Sequence, residues 1–194
     1  MRINEKLHHA ASVEEVFEML SNRAFQELRC ERSGSVEHEV TIEEPVDHDE
    51  LNDGDVAEDG GAPGDQDADG PTVVTRRRMT TDEFPDFAKK LIGQTIDIIE
   101  TTRWGAAASD GTREAAYTLS VEGTPVNAVG GVHLRPSAEV AAGGGQGAVT
   151  THTVDGELNA HIPFIGAKVE RVVRPFVTKA IELEAELGRE WLGR

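Results

Sequence analysis

One cysteine, Cys30, stands in a chain of 194 residues, which excludes an internal disulfide framework and suits a reducing compartment. Aromatic side chains make up only 5%, and 19 Lys and Arg face 36 Asp and Glu, for a net charge of −17. A chain so poor in basic residues offers nucleic-acid phosphates no positive face and anionic bilayers no attraction. No apolar run approaches the ~20 residues of a membrane span, and the first twenty residues lack a basic start followed by an apolar block. The expectation is a cytoplasmic protein with no nucleic-acid partner and no stable membrane insertion.

Familiar site motifs are missing as well. There is no His-x-His, Cys-x-x-Cys or His-Glu-x-x-His spacing for a metal, and no Gly-x-Ser-x-Gly nucleophile elbow. The Gly-rich stretch at 141–147, AAGGGQG, is followed by neither Lys-Ser/Thr nor a helix start and reads as a flexible hairpin, not a phosphate loop. No metal, no cofactor and no catalytic residue is therefore expected from motifs.

The charge that is present is unevenly placed. Residues 43–70 hold twelve carboxylates and no Lys or Arg, which leaves a balance of only −5 elsewhere. The whole chain reads as one domain, 1–194, with an acidic disordered insertion at 44–71 whose composition cannot bury enough surface to offset its ordering entropy. Inside it, Asp65, Asp67, Asp69 and Gly70 imitate the first half of a calcium loop. The twelfth position is Arg76 instead of a bidentate Glu, so specific calcium binding is not expected.

Around this insertion the hydrophobic periods change from two to three-and-a-half and back. Residues 2–9 alternate as a strand. Ser12 and Glu15 form a capping box that opens a helix with Val13, Val16, Phe17 and Leu20 on one side, and a second short helix restarts at Ser21. Strand patterns follow at 36–42, 72–80, 95–104, 112–121, 126–136 and 147–162, with a short amphipathic helix from Phe84 to Ile92 between the third and fourth strands.

The longest periodic segment is the last. From Pro163 to Leu192, apolar residues including Ile165, Val169, Val173, Phe176, Val177, Leu183, Leu187 and Trp191 recur at helical steps, so one side needs a partner surface. Lys168, Arg171, Arg174, Lys179, Glu182, Glu184, Glu186 and Arg189 are expected to face water. Pro175 lies inside and is expected to kink the helix.

A few polar residues fall on apolar faces. Alternation puts Glu100 with Ile96, Ile98 and Trp104, where a carboxylate must find a partner, take up a proton or be turned out by a bulge. Arg77 shares a face with Val73 and Met79, and His152 with Val154 and Leu158, whereas His133 and His161 point outward. A structural role is the simpler reading of each.

The layout of one strand, two short helices, six strands and a long terminal helix suggests an antiparallel sheet curled around that helix. The segments TTDEFPDFAKKLIG, ETTRW, HIPFIGAKVERVV and GREWL, and above all the pattern I-P-x-[IV]-G-x-K-[IV]-E at Ile162, Pro163, Ile165, Gly166, Lys168, Val169 and Glu170, resemble an uncharacterised, mainly actinobacterial family. It belongs to the START-like, birch-pollen-allergen-like superfamily, also called SRPBCC. The resemblance runs from Ile3 to Trp191. It implies an α+β helix-grip fold, a seven-stranded antiparallel sheet around the C-terminal helix, with a cavity between them.

Relatives in that superfamily bind or transfer lipids, sterols, hormones and polyketides. What the resemblance implies is therefore a hydrophobic small molecule as partner, and the inward positions of strands and helix then suggest Arg77, Ile98, Glu100, Trp104, Tyr117, His152, Val154, Val173 and Phe176 as the residues that hold it, with the helix from Phe84 as a lid. Two alternatives are a cyclase or dehydratase in which Glu100 or His152 moves protons, and an interaction protein acting through the acidic insertion. Ligand identity and oligomeric state are not legible.

Overall fold

The structure is a computed structural model that describes residues 1–45, 69–138 and 147–193. The elements run β1 (Arg2–His9), α1 (Val13–Leu20), α2 (Arg23–Arg32), β2 (Glu37–Glu43), β3 (Thr72–Thr80), α3 (Asp86–Ile92), β4 (Thr95–Trp104), β5 (Arg113–Val121), β6 (Val126–Pro136), β7 (Thr150–Ala160) and α4 (Gly166–Leu192). Residues 46–68 of the acidic insertion, with the calcium-like segment apart from Asp69 and Gly70, and most of the 141–147 hairpin lie outside the described residues.

Local chemistry explains the starts of α1 and α2. The Ser12 hydroxyl accepts from the Glu15 amide at 3.3 Å while the Glu15 carboxylate accepts from the Ser12 amide at 2.8 Å, the reciprocal bonding expected of the capping box. Asn22, one residue later than the expected restart, caps α2 by accepting from the amides of Ala24 and Phe25.

All seven strands form one antiparallel sheet in the order β1-β7-β6-β5-β4-β3-β2. Gly130 and Gly156 face each other across β6 and β7. A Cβ on Gly130 would lie 2.0 Å from the Asp155 carbonyl oxygen, and one on Gly156 would lie 2.6 Å from that of Val129. Neighbouring backbones thus approach more closely than any side chain allows. We expect Gly130→Ala to lower unfolding free energy by about 1–3 kcal/mol, the usual cost of forcing an extra methyl into a packed site. An unchanged urea midpoint would refute this role for the glycine pair.

The inner face of the sheet and the helices enclose two apolar clusters. One gathers Phe17, Met19, Leu20 and Phe25 of α1 and α2 with Trp104, Leu134 and Leu187. The other joins Val126, Ala128, Leu158 and Ala160 to Val169 near the start of α4.

The terminal helix differs from the expectation at its beginning and on one face. It starts at Gly166, not Pro163, because Phe164 adopts φ 66°, a left-handed conformation that a helix cannot pass through. Gly166 is the residue that lets α4 set off there, since a Cβ would fall 2.3 Å from the Ala160 carbonyl oxygen. The helix runs unbroken for 27 residues through the exposed Pro175, about 40 Å at the usual rise. Glu184, expected to face water, is buried. Its place between Ala180 and Leu187 continues the apolar stripe, and a partner described below makes its burial tolerable. Among the described residues no helix is long and apolar enough to cross a membrane.

Candidate functional site

The strand register arranges the inner face in rows. Thr75, Glu100, Leu119, Ala128 and Leu158 lie across the sheet in one row, and Arg77, Ile98, Val121 and Val126 in the next. Beside them run Thr102, Tyr117, Gly130 and Gly156. The paired glycines therefore leave two adjacent inner positions next to Tyr117 without side chains.

α4 has as its main backbone neighbours β1, β7, α1 and α2, and β3, β4 and β5 are not among them. The middle strands meet the helix through side chains: Leu119 and Val121 pack against the same apolar cluster as Val173 and Val177 of α4. Ile98, Tyr117, Leu119 and Val121 on one side and Val173, Phe176 and Val177 on the other are only half-buried, although they belong to inward faces. The segment around the start of α3 meets α4 here: Phe84 stacks on Phe176 with ring centroids 4.5 Å apart, and Lys168 Nζ lies 3.9 Å above the Phe87 ring. Two shallow hollows elsewhere, of about 270 Å³ on the outer face near Val74 and Ile99 and about 370 Å³ beside Val13 and Pro136, are open surface features.

Between the two apolar clusters lies a buried polar one. The Glu100 carboxylate is 7% exposed. It accepts from the guanidinium of Arg77, from that of Arg29 and, at 3.4 Å, from the Thr75 hydroxyl. Arg29 also donates to Glu184 at 2.6 Å. Glu184 lies 4.0 Å from Nδ1 of His152, whose ring is stacked on His9 with Nε2 of His9 3.4 Å from the same Nδ1. The chain of contacts thus ties β3 and β4 to α2, α4, β7 and β1.

Protonation follows from these neighbours. Burial would raise the Glu100 pKa, but Arg77 and then Arg29 outweigh it and hold the carboxyl at about 2. Burial, with His152 alongside, lowers His9 to about 4 and likewise depresses His152. Burial beside Glu100 pushes the Tyr117 phenol well up. At neutral pH the cluster contains two guanidiniums, two carboxylates, two neutral imidazoles and a neutral phenol. A carboxyl held at about 2 between two cations is unsuited to general acid–base work near neutrality, which demands a pKa near the working pH.

Of the residues expected from the sequence, Arg77, Glu100, Tyr117 and His152 belong to this cluster, with Ile98 beside it. Val173 and Phe176 lie on the facing helix. Val154 is half-buried next to Val132. Trp104 is 1% exposed in the apolar core, edge-on to Phe17 at 5.3 Å, with its indole N–H buried and unpartnered among the described residues. Sequence reasoning missed Arg29, Glu184 and His9. The first two stand where an apolar helical stripe would continue, four residues after Phe25 and three before Leu187, and His9 shares strand parity with Ile3 and Leu7. Among the described residues no group of His, Cys, Asp and Glu could hold a metal ion.

Comparison with known proteins places the chain among relatives of unassigned activity. The profile of a family described as "Protein of unknown function (DUF2505)" matches residues 55–192. Uncharacterised proteins of Mycobacterium tuberculosis and Mycobacterium bovis are each 26% identical over 130 residues, covering 66% of this chain and 70% of theirs. Among solved structures, a Thermus thermophilus protein is similar with a TM-score of 0.48 at 12% identity, covering 99% of this chain and 97% of its own. A Thalictrum flavum norcoclaurine synthase mutant matches with a TM-score of 0.48 at 12% identity, covering 99% and 93%. Ara h 8.0201 matches at 0.45 and 14%, covering 97% of both chains.

Proposed function

The chain belongs to the DUF2505 family of proteins of unknown function, and from that premise we propose that it binds a small hydrophobic or amphipathic molecule between the inner face of β4–β6 and α4. The observation that carries this reading is the incomplete burial of Ile98, Leu119, Val121, Val173 and Val177 on faces turned toward each other. A domain of this size ordinarily closes such a layer, since each apolar side chain buried contributes roughly 1.5–3 kcal/mol. Leaving it open is costly unless something else fills it.

The polar cluster supports the same reading. Well-packed apolar residues in place of a buried ion network are often as stable or more so. Arg29, Arg77, Glu100 and Glu184 at the centre of the domain therefore make poor sense as stability devices alone, and good sense as the polar end of a binding site. The Phe84–Phe176 stack would then be the contact that opens for entry.

Native mass spectrometry of gently purified protein, followed by solvent extraction, tests this. Wild type should retain an apolar or amphipathic molecule that denaturation releases. Val173→Trp, which pushes an indole into the space from α4, should lose at least about tenfold in affinity, or ~1.4 kcal/mol, while keeping the circular dichroism spectrum. A clean apo mass in wild type, with no saturable uptake of a neutral apolar dye, would sink the proposal.

A further inference from the structure

The binding reading leaves the class of ligand open, and the polar cluster narrows it. Arg29 and Arg77 are matched by Glu100 and Glu184, and the two imidazoles are neutral above the acid range. Most of the acceptor capacity is also engaged: Glu100 takes three hydrogen bonds, and one oxygen of Glu184 takes one from Arg29 while the other lies 4.0 Å from Nδ1 of His152. The donors are not. The Nε–H groups of Arg29 and Arg77 are buried with no partner among the described residues, and the Tyr117 phenol, pushed up by burial and by Glu100, keeps its proton.

On this basis, which rests on the proposed binding function, we infer that the bound molecule is uncharged and presents a carbonyl-type oxygen to Tyr117 and the arginines, on an otherwise apolar skeleton. A carboxylate would bring a negative charge beside two carboxylates into a cluster already balanced, and an ammonium would meet two arginines whose counter-ions are engaged. A plain hydrocarbon would leave the donors unpaired in an apolar surrounding. An acceptor without charge meets both conditions. The bare backbone at Gly130 and Gly156 gives the adjoining skeleton room next to Tyr117.

The test uses the full chain and the neutral fluorescent probe N-phenyl-1-naphthylamine, displaced at mildly alkaline pH by 2-tridecanone, methyl dodecanoate or dodecanoate. The ketone and ester should displace the probe at concentrations at least about tenfold below the carboxylate. Tyr117→Phe should shrink that advantage several-fold, read as the ratio of ketone to dodecanoate displacement within the same variant. Equal or better displacement by dodecanoate from wild type that binds the probe would overturn the inference and leave the binding reading standing. No saturable binding of the probe to wild type would overturn both.

Discussion

Glu100→Ala should lower the unfolding free energy by about 3–5 kcal/mol, the range for removing one partner from a buried ion pair. The loss would come less from the missing contacts than from what stays behind. Arg77, 6% exposed, faces the emptied site, and Arg29 keeps only Glu184. Two guanidiniums would then share one carboxylate away from water, and neither can shed its proton. Urea denaturation should show a lower midpoint with an unchanged slope, the signature of lost stability without a changed denatured state. The double variant Arg77→Met, Glu100→Leu removes opposite charges together and fills their volume, so it should cost less than Glu100→Ala alone. If the single variant matches wild type, the ion cluster is not the buried structure described here.

Acid should destabilise the protein in two stages. The folded pKa of His9, about 4, lies below the ordinary 6.5, so between those values the unfolded chain binds a proton that the folded chain refuses. Stability is full above 6.5 and falls as the pH drops toward 4, by about 3 kcal/mol for a shift of this size. His152, depressed in the same direction, adds to that fall. Glu100 acts lower down: its folded pKa of about 2 against an ordinary 4.5 makes its contribution full above 4.5 and lost as the pH falls to 2. Urea midpoints measured from pH 8 to 3 should therefore hold level, bend down below about 6.5 and steepen again below 4.5. His9→Asn should flatten the upper bend. A midpoint constant down to pH 4 would contradict the buried neutral imidazoles.

The architecture is legible in the sequence because it rests on local periodicity. Strand alternation at 2–9, 72–80, 95–104 and 126–136 coincides with β1, β3, β4 and β6 at both ends, and the capping box at Ser12 needs only residues three apart. The start of α4 differs by three residues for a backbone reason: proline suits a first turn, but the left-handed Phe164 and the crowded Gly166 are set by the approach of Ala160 from β7. The close backbone approach at Gly130 and Gly156 is out of reach too. It depends on two strands meeting in register, and neither glycine is unusual in its own segment.

The candidate site is half legible. Glu100, Arg77 and His152 can be singled out because a charge or imidazole at an inward strand position breaks a strict period of two. Their partners cannot, because Arg29 and Glu184 sit on helices, where a long polar side chain at the margin of an apolar stripe reads as solvent-facing. Only the fold brings residue 29 to residues 100 and 184. Burial of a charge is a pairwise property, and a single sequence shows one partner at a time.

The central claim is that the space between the middle strands and α4 receives a neutral apolar molecule with its oxygen at Tyr117. The most direct measurement is a residue-resolved ¹H–¹⁵N NMR titration of the full chain with 2-tridecanone. Saturable shifts should appear at Ile98, Tyr117, Leu119, Val173 and Val177, together with the Phe84–Phe176 contact. Shifts confined to the outer face of the sheet around Val74 and Ile99, or none at a ketone concentration that saturates the fluorescence displacement, would contradict it.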